Sequence, residues 1–307
     1  MMRIDAHAHI CSETYIDAIP TPPGVPKPPV AGSGALLAMM DTYAIDAAIV
    51  SPGPPGPFFG DQVAANALAR TLNEELAAVA NVHPGRIASL ATVPLPDVDA
   101  ALAELEHGLD ELGLDGVWLL TNVAGTYLGD SKWEPLYAEL DRRGAYVFVH
   151  PAFPPNGSPL SHPVWLYEFP FDTTRAVANL IYTGAFERYP GIRWQLAHCG
   201  GTAPFLAQRI ASLADREPDL AQAAPAGVLE YLSRLYYDTG LANNEIAYRT
   251  TAMVAPPSHI VFGTDWPYLA LPEPPGDAAP GLGYLATSER ESLEASNVLA
   301  LVPRLAR

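Results

Sequence analysis

Four side chains of metal-binding type stand where the strands of a parallel barrel would bring them together. His7 and His9 lie in Arg3-Ile4-Asp5-Ala6-His7-Ala8-His9, His150 closes Tyr146-Val147-Phe148-Val149-His150, and Asp265 lies in Val261-Phe262-Gly263-Thr264-Asp265-Trp266-Pro267. Each follows a short apolar run of strand character, and His198 follows Ile192-Arg193-Trp194-Gln195-Leu196-Ala197 in the same way. Alternate residues of a strand point to one side, so His7 and His9 can both face a barrel axis and bind one ion. A lone His-x-His also occurs in surface loops without any site. The later strand-end residues give it weight, because they fall at the end of the barrel that carries chemistry. Three imidazoles and a carboxylate suit one divalent ion, zinc first and manganese second, with a water or substrate oxygen completing the shell.

His198 precedes Cys199-Gly200-Gly201, a turn that lets backbone approach a ligand closely. It reads as a catalytic acid/base or a partner of metal-held water; direct ligation and a purely structural role remain open. Arg209, eleven residues further on, is as readily a solvent-exposed helix charge as a site cation. His83 looks like a helix C-terminal signal, His107 sits on an acidic helix face, and His259 begins a strand at the opposite end from the chemistry. His162, in the long loop after His150, is a further candidate for substrate contact.

Aromatic residues gather in the same loops: Phe58, Phe59, Phe153, Trp165, Tyr167, Phe169, Phe171, Trp266 and Tyr268. Packing of loop against loop is the ordinary reason for such residues. Phe153 and Trp266 flank proposed ligands and are expected to touch substrate, a role that suits a flat, partly apolar molecule such as a substituted aromatic acid.

The elements that must position these groups are legible as short β-branched runs alternating with alanine-rich amphipathic segments, the pattern of parallel strands joined by crossover helices. Strands are expected near 2 to 7, 45 to 50, 87 to 92, 115 to 120, 145 to 150, 192 to 197, 235 to 238 and 259 to 264. Helices are expected near 35 to 43, 61 to 81, 97 to 112, 132 to 143, 173 to 187, 202 to 214, 244 to 254 and 286 to 300. Eight strands close a (β/α)₈ TIM barrel, and the chain shows no linker or repeat, so residues 1–307 are expected to form one domain. The 32 prolines crowd into Pro20 to Pro29, Pro52 to Pro57, Pro151 to Pro170 and Pro267 to Pro280. These segments follow strands, and proline's fixed φ favours stiff pocket walls over mobile lids.

With 17 basic against 34 acidic residues the net charge is −17, which argues against nucleic acid and anionic membranes as partners. An anionic substrate therefore needs a local positive trap. Two cysteines, Cys11 and Cys199, are too few for a disulfide framework, and there is neither a signal-like start nor a run of about 18 apolar residues. A soluble cytoplasmic protein is expected.

The blocks Ile4-Asp5-Ala6-His7-Ala8-His9, Leu95-Pro96-Asp97, Phe148-Val149-His150-Pro151, Glu187-Arg188-Tyr189-Pro190, Leu196-Ala197-His198-Cys199-Gly200-Gly201 and Gly263-Thr264-Asp265-Trp266-Pro267 span nearly the whole chain. In them the sequence resembles the amidohydrolase-related family that includes aminocarboxymuconate-semialdehyde, γ-resorcylate and 6-methylsalicylate decarboxylases. The segments Glu168 to Arg175 and Thr121 to Asp130 look closest to the 6-methylsalicylate decarboxylase-like branch. The resemblance implies that His7, His9, His150 and Asp265 hold the metal with His198 beside it. It also implies a homodimer or larger homo-oligomer in which Arg209 reaches the neighbouring subunit's site. Binuclear relatives use a carboxylated lysine on the fourth strand, whereas this chain has only Lys27 and Lys132, both elsewhere, so a single metal is expected. One departure is the absence of arginine from Ser51 to Gly60, where one relative uses it for a substrate carboxylate.

The expected reaction is metal-dependent decarboxylation of an ortho-hydroxy aromatic acid without an organic cofactor, with Asp265 and His198 handling the proton. Hydrolysis of a lactone or amide by the same residues is the alternative, and a barrel retained only as a binding scaffold is a third.

Overall fold

Strand β1, Ile4–His9, starts a ring of parallel strands continued by β2 (Ala47–Ser51), β3 (Ile87–Thr92), β4 (Gly116–Leu120), β5 (Tyr146–His150), β6 (Arg193–Leu196), β7 (Tyr236–Asp238) and β8 (Ile260–Val261). The protein is seen in a computed structural model that describes residues 2–21, 27–157, 160–214 and 216–306. Pro22, Pro23, Pro26 and Pro159, expected to stiffen loops, lie outside the described residues. The ring closes between its last and first strands. The Ala6 N–H donates to the Phe262 carbonyl at 2.8 Å, the Asp265 N–H to the His7 carbonyl at 2.7 Å, and the His9 N–H to the Trp266 carbonyl at 2.8 Å.

Both faces of the sheet are covered, so the strands read as apolar runs rather than as alternating ones. Ile4, Ile49, Leu90, Trp118 and Phe148 fill the barrel interior, while Val117, Leu119, Val147 and Val149 pack outward against helices. Crossover helices are α1 (Ser33–Thr42), α2 (Gln62–Val82), α3 (Val98–Glu106), α4 (Glu134–Arg143), α5 (Glu168–Tyr182), α6 (Ala203–Ala214), α7 (Glu245–Ala252) and α8 (Asn297–Leu301). Their starts follow local chemistry: Asp61, Asp97 and Asn244 each accept a hydrogen bond from a backbone N–H in the first turn of α2, α3 and α7. Helix α4 stops at Gly144, whose φ of 57° is the left-handed cap glycine allows.

The expected and observed elements differ where the chain bends around the site. Strand β1 runs on to His9 instead of ending at residue 7. Strand β8 ends at Val261 rather than near 264, because the following residues turn across the barrel mouth and place Asp265 at φ 61°. Helix α5 begins at Glu168 rather than 173, and Gly184 separates it from the short helix Ala185–Arg188. Two short helices, Pro218–Ala223 and Val228–Arg234, lie unexpectedly between α6 and β7. No described helix is long and apolar enough to cross a membrane.

Candidate metal centre

The C-terminal ends of β1 and β5, with the turn after β8, bring His7, His9, His150 and Asp265 into one buried cluster whose four ligand atoms all lie within 4.8 Å of one another. His7 Nε2 is 3.1 Å from His9 Nε2, and Asp265 Oδ1 is 3.1 Å from each. His150 Nε2 lies 3.9 Å from the same oxygen and is a buried polar atom with no hydrogen-bond partner among the described residues.

The opposite edge of each ring is already engaged. His7 Nδ1 is 2.9 Å from Asp238 Oδ1, His9 Nδ1 is 3.0 Å from Ser51 Oγ, and His150 Nδ1 donates to the Pro151 carbonyl at 2.9 Å. A histidine that donates through Nδ1 offers a lone pair at Nε2, and outer partners of this kind fix ring and tautomer at metal sites. With the rings in these tautomers, three Nε2 lone pairs and a carboxylate oxygen converge on one point. The arrangement fits one divalent cation.

Electrostatics point the same way. Burial opposes a charge on His7, but Asp238 and Asp265 outweigh it and hold its pKa up at about 10, so the locus favours positive charge, whether proton or ion. Burial drives His150 down to about 3, which keeps its imidazole neutral. Burial also opposes ionisation of Asp265, yet His7, His150 and His198 hold it well below the usual carboxylate range. Asp5 ties β1 to the Asp265 turn: its oxygens accept the Thr264 hydroxyl at 2.5 Å and the backbone N–H groups of Thr264 and His7 at 3.0 Å.

His198 stands outside the four-atom cluster and faces the other carboxylate oxygen, with Nε2 3.1 Å from Asp265 Oδ2. His198, Cys199 and Asp265 all adopt positive φ (57°, 54° and 61°), strain that concentrates at this end of the barrel. Gly201 is required beneath them, since a Cβ there would collide with the Pro170 carbonyl.

The other expected site residues separate. Phe153 is 39% exposed at the rim of a cavity lined also by Trp118, Asn122 and Ala152, and it packs edge-on against Phe169, with ring centroids 5.5 Å apart. Trp266 instead packs against the cluster of Ala8, Ile10 and Leu36, and its carbonyl serves β1. Arg209 is exposed on α6 and His162 is exposed in its loop. Lys27 donates to the Ile16 carbonyl and Lys132 sits in the turn Ser131–Trp133, away from the cluster. His83 caps α2, His107 pairs with Glu111 at 2.7 Å, and His259 stacks on Tyr236 outside the site.

Sequence reasoning missed Asp238, which closes β7 and contacts His7, Gln195 and the His198 backbone. Its signal was available as a carboxylate ending an expected strand just before Gly240. Ser51 at the end of β2 carried no such signal. Tyr268, one of the loop aromatics, packs edge-on to His9 at 5.2 Å, and its hydroxyl is 3.5 Å from Cys11 Sγ.

The profile of the family described as Amidohydrolase matches residues 4–302. The 6-methylsalicylic acid decarboxylase of Aspergillus aculeatus is 32% identical over 329 aligned positions, covering 100% of this chain and 97% of that protein. A solved structure described as an amidohydrolase superposes with a TM-score of 0.88 at 28% identity, covering 99% of this chain and 100% of the other. The dihydroxybenzoic acid decarboxylase of Polaromonas sp., solved with manganese and the inhibitor 2-nitroresorcinol, shares the fold with a TM-score of 0.83 at 21% identity over 100% and 98% of the two chains.

Proposed function

The chain belongs to the amidohydrolase family, and on that premise we propose that it catalyses metal-dependent, non-oxidative decarboxylation of an ortho-hydroxy aromatic acid of the 6-methylsalicylate kind. The observation that carries this reading is the buried His7, His9, His150 and Asp265 cluster with His198 poised on the outer oxygen of Asp265. His7, His9, His150 and Asp265 would hold one divalent ion, zinc by donor type or manganese, the metal of the Polaromonas protein. Bound there, it would supply the positive charge that an anionic acid needs in an otherwise acidic protein.

The protein's own task is to deliver one proton to the ring carbon that bears the carboxylate. Asp265 Oδ2 and His198 Nε2, 3.1 Å apart, share that proton and present it to the ring. Protonation breaks aromaticity, and loss of carbon dioxide returns the bonding pair to the ring. The route avoids a free aryl carbanion. Phe153 forms part of the apolar wall against which the ring lies. The hydrolytic alternative uses the same side chains, but the decarboxylating relative weighs against it.

The enzyme works as a single barrel domain, assembled as a homodimer or larger homo-oligomer in which Arg209 completes a neighbour's site. Exposed Trp165, Leu166, Phe171 and Phe205 on the elements around α5 and α6 support such a contact. Unpaired, buried Cys11 and Cys199 support a reducing, cytoplasmic setting.

Incubating the metal-loaded protein in D₂O with 6-methylsalicylate and a panel of hydroxybenzoates, lactones and amides tests the reaction. Carbon dioxide together with one deuterium at the vacated ring carbon is the expected outcome by NMR. Cleaved or ring-opened products without carbon dioxide would move the enzyme to the hydrolases.

A further inference from the structure

Two polar side chains stand inside the barrel where its packing calls for apolar ones. Tyr146 opens β5 in the same cluster as Ile4, Ala6 and Phe148, and Gln195 on β6, the register partner of Phe148, has no exposed surface. An amide taken out of water is costly unless its polar atoms find partners. Here they do. Gln195 Nε2 donates to the Ala6 carbonyl at 3.1 Å and to Asp238 Oδ2 at 2.9 Å, while Gln195 Oε1 accepts the Tyr146 hydroxyl at 2.8 Å.

The direction of this chain is set by its partners. A carbonyl and a carboxylate only accept, so both must face the amide's NH₂ group, which leaves the amide oxygen to Tyr146 as donor. Turning the amide over would set its oxygen against two acceptors. Burial pushes the Tyr146 phenol well above its usual range and keeps the donated proton on it.

The far end of the chain is the metal centre. Asp238 Oδ1 stands 2.9 Å from His7 Nδ1 and accepts the backbone N–H of Gly240 at 2.9 Å and of His198 at 3.1 Å. Its other oxygen is met, among the described residues, by Gln195 alone. Donors to one oxygen fix that atom but not the tilt of the carboxylate; the second contact fixes the tilt. Strands β1 and β6 are not neighbours in the ring, so Gln195 reaches through the barrel interior, and at Ala6 it also holds the backbone next to His7.

We propose that Gln195 is a positioning residue for the metal centre: with its amide set by Tyr146, it holds Asp238 in the plane that aims His7 Nε2 at the ion. This role rests on the metal-centre part of the function proposed above and on no step of the decarboxylation.

Q195M keeps the length of the side chain without its hydrogen bonds, and Y146F removes only the hydroxyl. Zinc affinity by competition with a chelator, the visible spectrum of the cobalt(II)-loaded protein and the melting temperature are the three readouts. Q195M should bind zinc roughly tenfold more weakly, the low end for loss of an outer partner at a metal site, and should shift the cobalt bands. Y146F, one bond further out, should move both in the same direction by less. Ser89→Ala, which deletes a buried hydroxyl on β3 that donates to the Leu76 carbonyl at 3.1 Å, should lower the melting temperature and change neither. Zinc affinity and cobalt bands unchanged in Q195M and Y146F would overturn the role of Gln195, and so would an equal loss of affinity in S89A. Should Q195M fail to fold, Y146F decides by the same two readouts. Wild-type protein that holds no ion would refute the metal centre itself. Weakened zinc binding in Q195M, in a protein that releases no carbon dioxide from any hydroxybenzoate, would sustain the role of Gln195 while refuting the decarboxylase reading.

Discussion

Asp238 Oδ1 lies 2.9 Å from His7 Nδ1, and the same oxygen accepts the backbone N–H of His198 at 3.1 Å. One carboxylate on β7 thus orients a candidate metal ligand on β1 and the backbone of His198 after β6. Asp238→Asn should keep the fold, since the amide is nearly isosteric, but weaken metal affinity about 10- to 100-fold. Metal-buffered titration checks this; wild-type affinity in the variant would show that Asp238 does not orient His7.

Metal content should be about one divalent ion per chain, because His150 Nε2 has no hydrogen-bond partner among the described residues and the four donors share one focus. Chelation should lower the melting temperature and restoring the ion should recover it, by about 2.7 kcal/mol when free metal exceeds Kd a hundredfold. A melting temperature indifferent to chelator, in protein shown by elemental analysis to be stripped, would contradict this.

His198→Ala should retain the ion and lose turnover by about 10²- to 10⁴-fold, the range for a positioned acid or base. His198 reaches Asp265 Oδ2 rather than the oxygen shared with His7 and His9, which is why the two properties should part. Loss of metal in this variant would make His198 a ligand.

Gly201→Ala combines a φ of 64° with a Cβ driven against the Pro170 carbonyl. Melting should show a loss of at least roughly 1–3 kcal/mol, the cost of one residue held in an unfavourable backbone region. An unchanged melting temperature would mean that α5 and the turn move apart freely.

Hydrogen bonding to Arg142, against a smaller opposing effect of burial and with help from Arg143, lowers Glu139 from 4.5 to about 2. The folded pKa is the lower one, so its contribution is present above about pH 4.5 and is lost as pH falls toward 2. Glu139→Gln should flatten that part of the stability curve by no more than about 1 kcal/mol, since the pair is partly solvated. Denaturant melts at pH 6 and pH 3 make the comparison; equal acid sensitivity in both proteins would remove Glu139 from the acid response.

The sequence alone determined the barrel and the candidate ligand cluster. Alternating apolar runs and amphipathic segments follow directly from strand and helix periodicity, and His7, His9, His150 and Asp265 were legible because each ends or follows a strand at the same end of the sheet. Even the motif Leu95-Pro96-Asp97 has a local reason, the Asp97 cap on α3. Groups that act across the barrel were decided only by tertiary structure. Asp238 is separated from His7 by 231 positions, and Gln195 from Asp238 by 43. Their roles depend on which lone pair faces which donor once the ring of strands has closed. The same closure turned Trp266, adjacent to Asp265 in sequence, toward Ala8 and Ile10 and left Phe153 at the cavity. Neighbourhood along the chain fixes a side chain's distance from a ligand, but packing decides the direction in which it points.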